Sequence, residues 1–158
     1  MELFPAHWEM PGWIKCDGQL LNNRQYHLLA YSLATRFGGN GSTTFAVPQL
    51  PPVQFTIDGM EIKLAYHIAY EGMYSFTKEP TLSQVALYAA EPDDQWLKCD
   101  GRLLSTEEDY ALFSLLDTRF GGDGDTTFGI PNLPPLQTPS GAEVPYYICV
   151  RGLYPNLQ

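Results

Sequence analysis

Trp96-Leu-Lys-Cys-Asp-Gly-Arg-Leu-Leu104 repeats, almost residue for residue, the earlier stretch Trp13-Ile-Lys-Cys-Asp-Gly-Gln-Leu-Leu21. The likeness continues outward: from Trp13 to Gln54 and from Trp96 to Gln137 the chain matches itself over 42 positions without a gap, and 23 of them are identical. Chance does not produce such a run, and self-similarity at a fixed offset is the signature of a repeated fold unit. Thr35-Arg-Phe-Gly-Gly39 answers Thr118-Arg-Phe-Gly-Gly122, and each is followed by Thr-Thr-Phe and a proline-rich exit. Outside the ungapped block, Leu3-Phe4 is set against Ala86-Leu87, and Tyr66-His-Ile-Ala-Tyr70 before Gly72 against Tyr146-Tyr-Ile-Cys-Val150 before Gly152. Residues 1–73 and 84–158 therefore read as two domains of about 75 residues, with 74–83, which carries Ser75, Thr77, Lys78, Glu79 and Pro80, as the linker. Units this small bury a modest share of their surface, so the lobes are expected to pack on each other or on partner chains.

The local chemistry orders the elements of each unit. Val85-Ala-Leu-Tyr88 reads as a short strand. Asp100-Gly101 is a turn pair, so Trp96 to Cys99 and Leu103-Leu104 read as the arms of a hairpin or as one bent strand, with the Asp17 and Asp100 carboxylates bonding the turn backbone. A helix is expected next. Ser105 and Glu108 form a capping box, with Asn22 and Gln25 in the same places of the first copy. Leu112, Leu115, Leu116 and Phe120, like Leu29, Ser32, Leu33 and Phe37, fall at helical spacing on one face and predict core. Gly38 and Gly121 lie where a left-handed C-terminal cap favours glycine. Phe45 and Phe128 read as buried aromatics, Val47-Pro48 and Ile130-Pro131 as extended segments outside any central strand, and Tyr66 to Tyr70 and Tyr146 to Val150 as closing strands. The fold class is α+β, each copy a short helix packed on a small, irregular β-sheet.

Composition excludes several classes. A formal charge of -9 opposes the counterion release by which proteins bind phosphate backbones, so nucleic acid is not an expected partner. The same sign disfavours anionic lipid, and no stretch approaches the roughly 20 apolar residues of a membrane-spanning helix. Met1 to Met10 lacks a basic region followed by an apolar run, so no cleavable secretion signal is expected. Thirteen prolines and fourteen glycines require short elements separated by fixed bends.

Candidate sites are few. Cys16, Cys99 and Cys149 are odd in number and have no metal-ligand spacing, which favours buried thiols and leaves a Cys16 to Cys99 bond as the alternative. A thiol nucleophile would need a histidine and an orienting group, and no histidine takes a matched place in both copies; His7, His27 and His67 are isolated. No catalytic, cofactor or metal residue is assigned. Gly121-Gly-Asp-Gly-Asp125 has the outline of a calcium loop, but the nonapeptide pattern needs aspartate at its sixth position, where Thr126 stands, and tandem copies. Asn40 and Ser42 replace Asp123 and Asp125 in the first copy, so these two carboxylates are the ligand-binding candidates of the second copy alone, weighed against a solvated turn.

Trp96 to Leu104, the helical stretch with Ala111-Leu-Phe-Ser-Leu-Leu116, and Phe120-Gly-Gly-Asp-Gly-Asp-Thr-Thr-Phe128 before Pro131-Asn-Leu133 together resemble the phage tail collar domain, also found in microcystin-dependent proteins. The second copy is the closer match, and nearly all of the chain apart from the linker is covered. The resemblance implies a structural domain of tail fibres, found in a virion tail or in an exported or surface complex of bacteria, and no reaction or cofactor. It implies partners that are copies of the same chain in a homotrimer or other collar-domain proteins in a hetero-oligomer. Many members continue with Arg-Gly-Arg, a glycine-rich insertion and a metal-ligating His-Xaa-His tip. Here Leu50-Pro51-Pro52 and Leu133-Pro134-Pro135 lead almost directly to the closing strand, so the receptor tip is absent. A cell-surface receptor, glycan or protein, bound through aromatics such as Trp8 and Tyr74, is the alternative to assembly.

Overall fold

The Trp-Xaa-Lys segments form strands of three residues, too short to make a sheet alone, and their partners come from the far end of each repeat. The computed structural model describes residues 1–6, 11–57, 59–70 and 79–155. Two units divide the chain: Met1–Tyr74 with Leu136–Val144, and Ser75–Pro135 with Pro145–Gln158. Of the linker read at 74–83, residues 74–78 lie outside the described residues.

In the first unit β1 (Glu2–Pro5), β2 (Trp13–Lys15), β3 (Leu20–Asn22), α1 (His27–Leu33), β4 (Thr44–Ala46), β5 (Val53–Ile57) and β6 (Met60–Ala69) follow in order. The sheet runs β1-β6-β2, with β5 also on β6, while β3 pairs separately with β4, all antiparallel. The second unit repeats this with β7 (Val85–Leu87), β8 (Trp96–Lys98), β9 (Leu103–Ser105), α2 (Tyr110–Leu116) and β10 (Thr127–Gly129). After the hairpin of β11 (Leu136–Gln137) and β12 (Glu143–Val144), which is grouped with the first unit, β13 (Tyr146–Cys149) closes the order β7-β13-β8. The architecture is mixed and mostly β, and its strands are spread over five small sheets instead of one per copy.

The hairpin reading of the Asp-Gly turn is corrected by this pairing. β8 pairs with β13 and β9 with β10, so the turn carries the chain from one sheet into another. Gly18 and Gly101 adopt φ of 83° and 78°, and the aspartate before each is held by a bridge, Asp17 to Gln49 and Asp100 to Asn132.

The helix ends also differ from expectation. Ser105 Oγ accepts the Glu108 N–H at 3.3 Å, but in a turn ahead of α2, whose own N-cap, Asp109, makes no side-chain cap bond. In the first copy Asn22 Oδ1 accepts from Arg24, two residues on, so Gln25 has no capping partner there. Both helices stop four residues before the expected glycines, at Ala34 and Asp117, where φ is 47° and 51°. Asp117 accepts the Thr118 N–H at 2.8 Å, a local bond that lets a short polar side chain tolerate this region. The chain then winds through the same short turns in both copies, yet Phe37 is buried and Phe120 is exposed.

The register of the first strand is shifted by one residue from the sequence match. Leu3 lies opposite Tyr66, and Leu87, not Ala86, lies opposite Tyr146. One extra residue separates the first strand from the Trp-Xaa-Lys strand in the first copy, and a one-residue slip would turn every side chain to the wrong face.

Phe45 and Phe128 are fully buried, followed by Val47 and Ile130. In the second unit the core gathers Cys99, Leu112, Leu116, Phe128, Ile130 and Ile148, together with Leu82. Leu82 donates its N–H to the Leu153 carbonyl at 2.8 Å, so residues just before β7 are tied to the C-terminal segment.

The Gly-Gly turn fixes how the chain reaches that phenylalanine. At Gly39, φ is 94° and a Cβ would lie 2.5 Å from Phe45 Cα; at Gly122, φ is 92° and a Cβ would collide with Phe128 Cα and the Thr127 carbonyl. Gly121 has φ of 113° but open space around it. Gly39→Ala and Gly122→Ala are each expected to destabilise their unit by about 3 kcal/mol or more, combining strain with backbone collision. Gly121→Ala is expected to cost about 1 kcal/mol, from strain alone. Urea denaturation checks the order; equal losses at Gly121 and Gly122 would contradict the close-approach reading.

Candidate functional site

Both turns that carried candidate carboxylates are closed by those side chains. Asp17 Oδ1 accepts the Gln19 N–H at 3.2 Å and Asp100 Oδ1 the Arg102 N–H at 3.2 Å, as the turn chemistry predicts. Arg102 also folds its guanidinium back onto Asp100, which lowers the pKa of that carboxyl and raises that of the guanidinium.

Asp123 uses its carboxylate on its own turn. Oδ1 accepts the N–H groups of Asp125, Thr126 and Thr127 at 3.0, 2.9 and 2.8 Å, and Oδ2 accepts the Thr126 hydroxyl at 2.8 Å. These bonds, led by the Thr127 N–H, hold its pKa well below the usual carboxylate range. Asn40 does the same work with a neutral amide, its Oδ1 accepting from Ser42, Thr43 and Thr44 at 3.0, 2.8 and 3.0 Å. The turn thus needs an acceptor at this place and not a charge. Asp125 is exposed, and among the described residues no group of three His, Cys, Asp or Glu side chains could hold a metal ion.

Cys16, Cys99 and Cys149 are free and buried. Burial, aided by the neighbouring aspartate, pushes the Cys16 thiol up to about 12 against the opposing N-terminal charge and Cys99 up to about 11, and burial also raises Cys149. A nucleophilic cysteine needs the opposite shift. His67 is buried with Nδ1 2.9 Å from the Ala65 carbonyl oxygen, and His27 is exposed; His7, Trp8 and Tyr74 lie outside the described residues.

An aromatic trio recurs in both units. Phe4 meets Trp13 and His67 edge to face at 5.2 and 5.5 Å, and Tyr88 meets Trp96 and Tyr147 at 5.1 and 5.8 Å. Sequence comparison missed it because a constant offset sets Phe4 against Leu87; placing the gap before the tryptophan would have matched Phe4 to Tyr88. These rings bind the first, second and closing strands across the sheet.

Exposed apolar side chains are the remaining functional feature. Leu20 and Leu103, in matched places on β3 and β9, are both exposed. On α1, Leu28 is 61% and Tyr31 91% exposed. They are three residues apart, hence neighbours on the helix surface. Their counterparts on α2 are Ala111 and Ser114, and Ser114 Oγ is hydrogen-bonded to the Tyr154 hydroxyl at 3.1 Å. α1 thus presents an exposed leucine and tyrosine pair, while α2 exposes Tyr110, one residue before Ala111.

A family model described as Phage Tail Collar Domain matches residues 1–52 and residues 83–135. No curated protein and no solved structure matches the chain.

The depressed pKa of Asp123 makes its contribution to stability present above the ordinary carboxyl value of 3.8 and lost as pH falls through the folded value. Asp123→Asn is expected to fold, since Asn40 already closes the same turn. Wild type should be the more stable at neutral pH, and its advantage should shrink as pH drops below about 4. Denaturation midpoints from pH 6 to 2 read the difference; an advantage that does not vary with pH would contradict the bonding scheme.

Proposed function

Because the chain belongs to the phage tail collar domain family, with the domain matched twice, we propose that it is a non-catalytic structural component of a phage tail fibre or a phage-tail-like bacterial complex, assembling through its collar domains. The observation that carries the assembly reading is the outward face of α1, where Leu28 and Tyr31 stand side by side in solvent while Ala111 and a hydrogen-bonded Ser114 take those places on α2. Aromatic and leucine side chains held rigidly on a helix supply contact area at low entropic cost, and tyrosine is enriched at interface centres. On this reading, the difference at these two places gives the two lobes different neighbours. Partners are copies of this chain or other collar-domain chains, in closed symmetry or in a ring that a second chain completes.

The thiols support a non-catalytic role, since burial holds Cys16 and Cys99 protonated. The location that follows is a tail or an exported complex. Among the described residues, no helix is long and apolar enough to cross a membrane.

Replacing Leu28 and Tyr31 together by serine is expected to leave the thermal transition of the first unit within a few degrees of wild type, because both side chains are exposed. The same change should raise the dissociation constant of the complex at least tenfold, equivalent to about 1.4 kcal/mol. Sedimentation velocity over a concentration series reads this. An unchanged association profile with intact folding would remove α1 from the interface.

A further inference from the structure

The two units share one scaffold, so a place where they differ in kind shows what one of them has gained. In the first unit Tyr26, just before α1, and Tyr70, just after β6, meet edge to face with ring centres 5.1 Å apart. Asp109 and Val150 take these places in the second unit, and the backbone confirms the match. Phe113 N–H bonds to the Asp109 carbonyl at 2.9 Å as Ala30 does to Tyr26 at 2.8 Å. Val150 N–H bonds to the Gln95 carbonyl at 2.8 Å as Tyr70 does to Gly12 at 2.9 Å.

Where the first unit has two rings, the second has an open cleft of about 480 Å³ lined by Glu108, Asp109, Ala111, Leu112, Val150 and Arg151. That is within the volume range of ligand sites, roughly 300–1,000 Å³. Ala111 and Val150 give it apolar surface, with the buried Leu112 beneath. Glu108 and Asp109 give it two carboxylates, and burial, reinforced by the Glu108 charge and opposed in part by that of Arg151, raises the Asp109 pKa. Arg151 is the one cation in the lining, and it is shared with Asp94 at 3.6 Å. The local balance is negative, on a chain of charge -9.

We propose that this cleft is a docking site for a basic side chain, lysine or arginine, presented by a partner chain. Its aliphatic stem would lie along Ala111 and Val150 and its cationic head would reach Glu108 and Asp109. An uncharged ring would refill the space but leave the two carboxylates less solvated without compensation, which disfavours it. A long cationic side chain satisfies both parts of the lining, as such side chains do when their stems pack on apolar surface. The site stands on the cleft itself and not on the assembly surface of α1.

The test uses the whole chain, labelled with nitrogen-15, titrated with N-acetyl-arginine amide, N-acetyl-lysine amide and N-acetyl-tyrosine amide. Both cationic probes should give saturable amide shifts at residues 108–112, 150 and 151, with none at the matched residues 25–29 and 70, which serve as an internal control. Glu108→Gln with Asp109→Asn should weaken binding about tenfold or more, the scale of charge-assisted hydrogen bonds. Val150→Tyr, which restores a ring at the cleft, should abolish the shifts while the rest of the spectrum stays folded. No saturable shift with either cation, equal shifts in both units, or preference for the tyrosine probe would overturn the proposal. None of these outcomes depends on whether the chain assembles.

Discussion

Each unit depends on the contact between the second glycine of the Phe-Gly-Gly turn and the backbone beneath a buried phenylalanine. Gly39 against Phe45, and Gly122 against Phe128, come closer than any side chain would permit, at a backbone angle that L-residues avoid. That approach carries the chain from the helix back to the short strand that places the ring in the core. The carboxyl or amide of Asp123 or Asn40 then closes the loop by accepting three backbone N–H groups. With this turn fixed, the strand after it pairs with the strand following the Asp-Gly bend, and the closing strand receives the tryptophan strand on one side and the first strand on the other. Sheets this short derive little stability from their ladders alone. The buried phenylalanine and the edge-to-face trio are what bind them.

Two copies of one scaffold let one lobe hold a shape while the other acquires a difference. The core positions are kept in kind: Cys16 and Cys99, Leu29 and Leu112, Leu33 and Leu116, Phe45 and Phe128 are all buried. Differences concentrate at the surface of the helix and its entry. The first helix bears Leu28 and Tyr31 where the second has Ala111 and a hydrogen-bonded Ser114, and the second unit opens a cleft where the first is filled by Tyr26 and Tyr70. On the proposed assembly, two lobes with distinct contacts would account for this divergence.

The repeat made much of this legible in the sequence. Identity across the two copies marks the Asp-Gly and Gly-Gly turns and the buried phenylalanines, and the residue chemistry of Val85 to Tyr88 and of the closing segments marks them as strands, because each depends on local residues. What the sequence left unread depends on register and on long-range partners. The shift that matches Phe4 with Tyr88 follows from pairing with a strand about sixty residues away. Helix ends were misplaced because Gly38 and Gly121, which resemble C-caps, serve the turn over the phenylalanine, and Ala34 and Asp117 take the left-handed position instead. The strands on either side of the Asp-Gly bend read as a hairpin or one bent strand because nothing local distinguishes either from a passage between two sheets. The cleft could not be read at all, since it arises from the joint loss of two rings 44 residues apart in the other copy.

Assembly is the central claim, and the absolute mass of the purified protein by light scattering tests it most directly. The account predicts a discrete complex heavier than the 17.7 kDa chain, either alone or on mixing with collar-domain products of neighbouring genes. A protein that stays at the monomer mass at micromolar concentration under both conditions, while correctly folded, would contradict it.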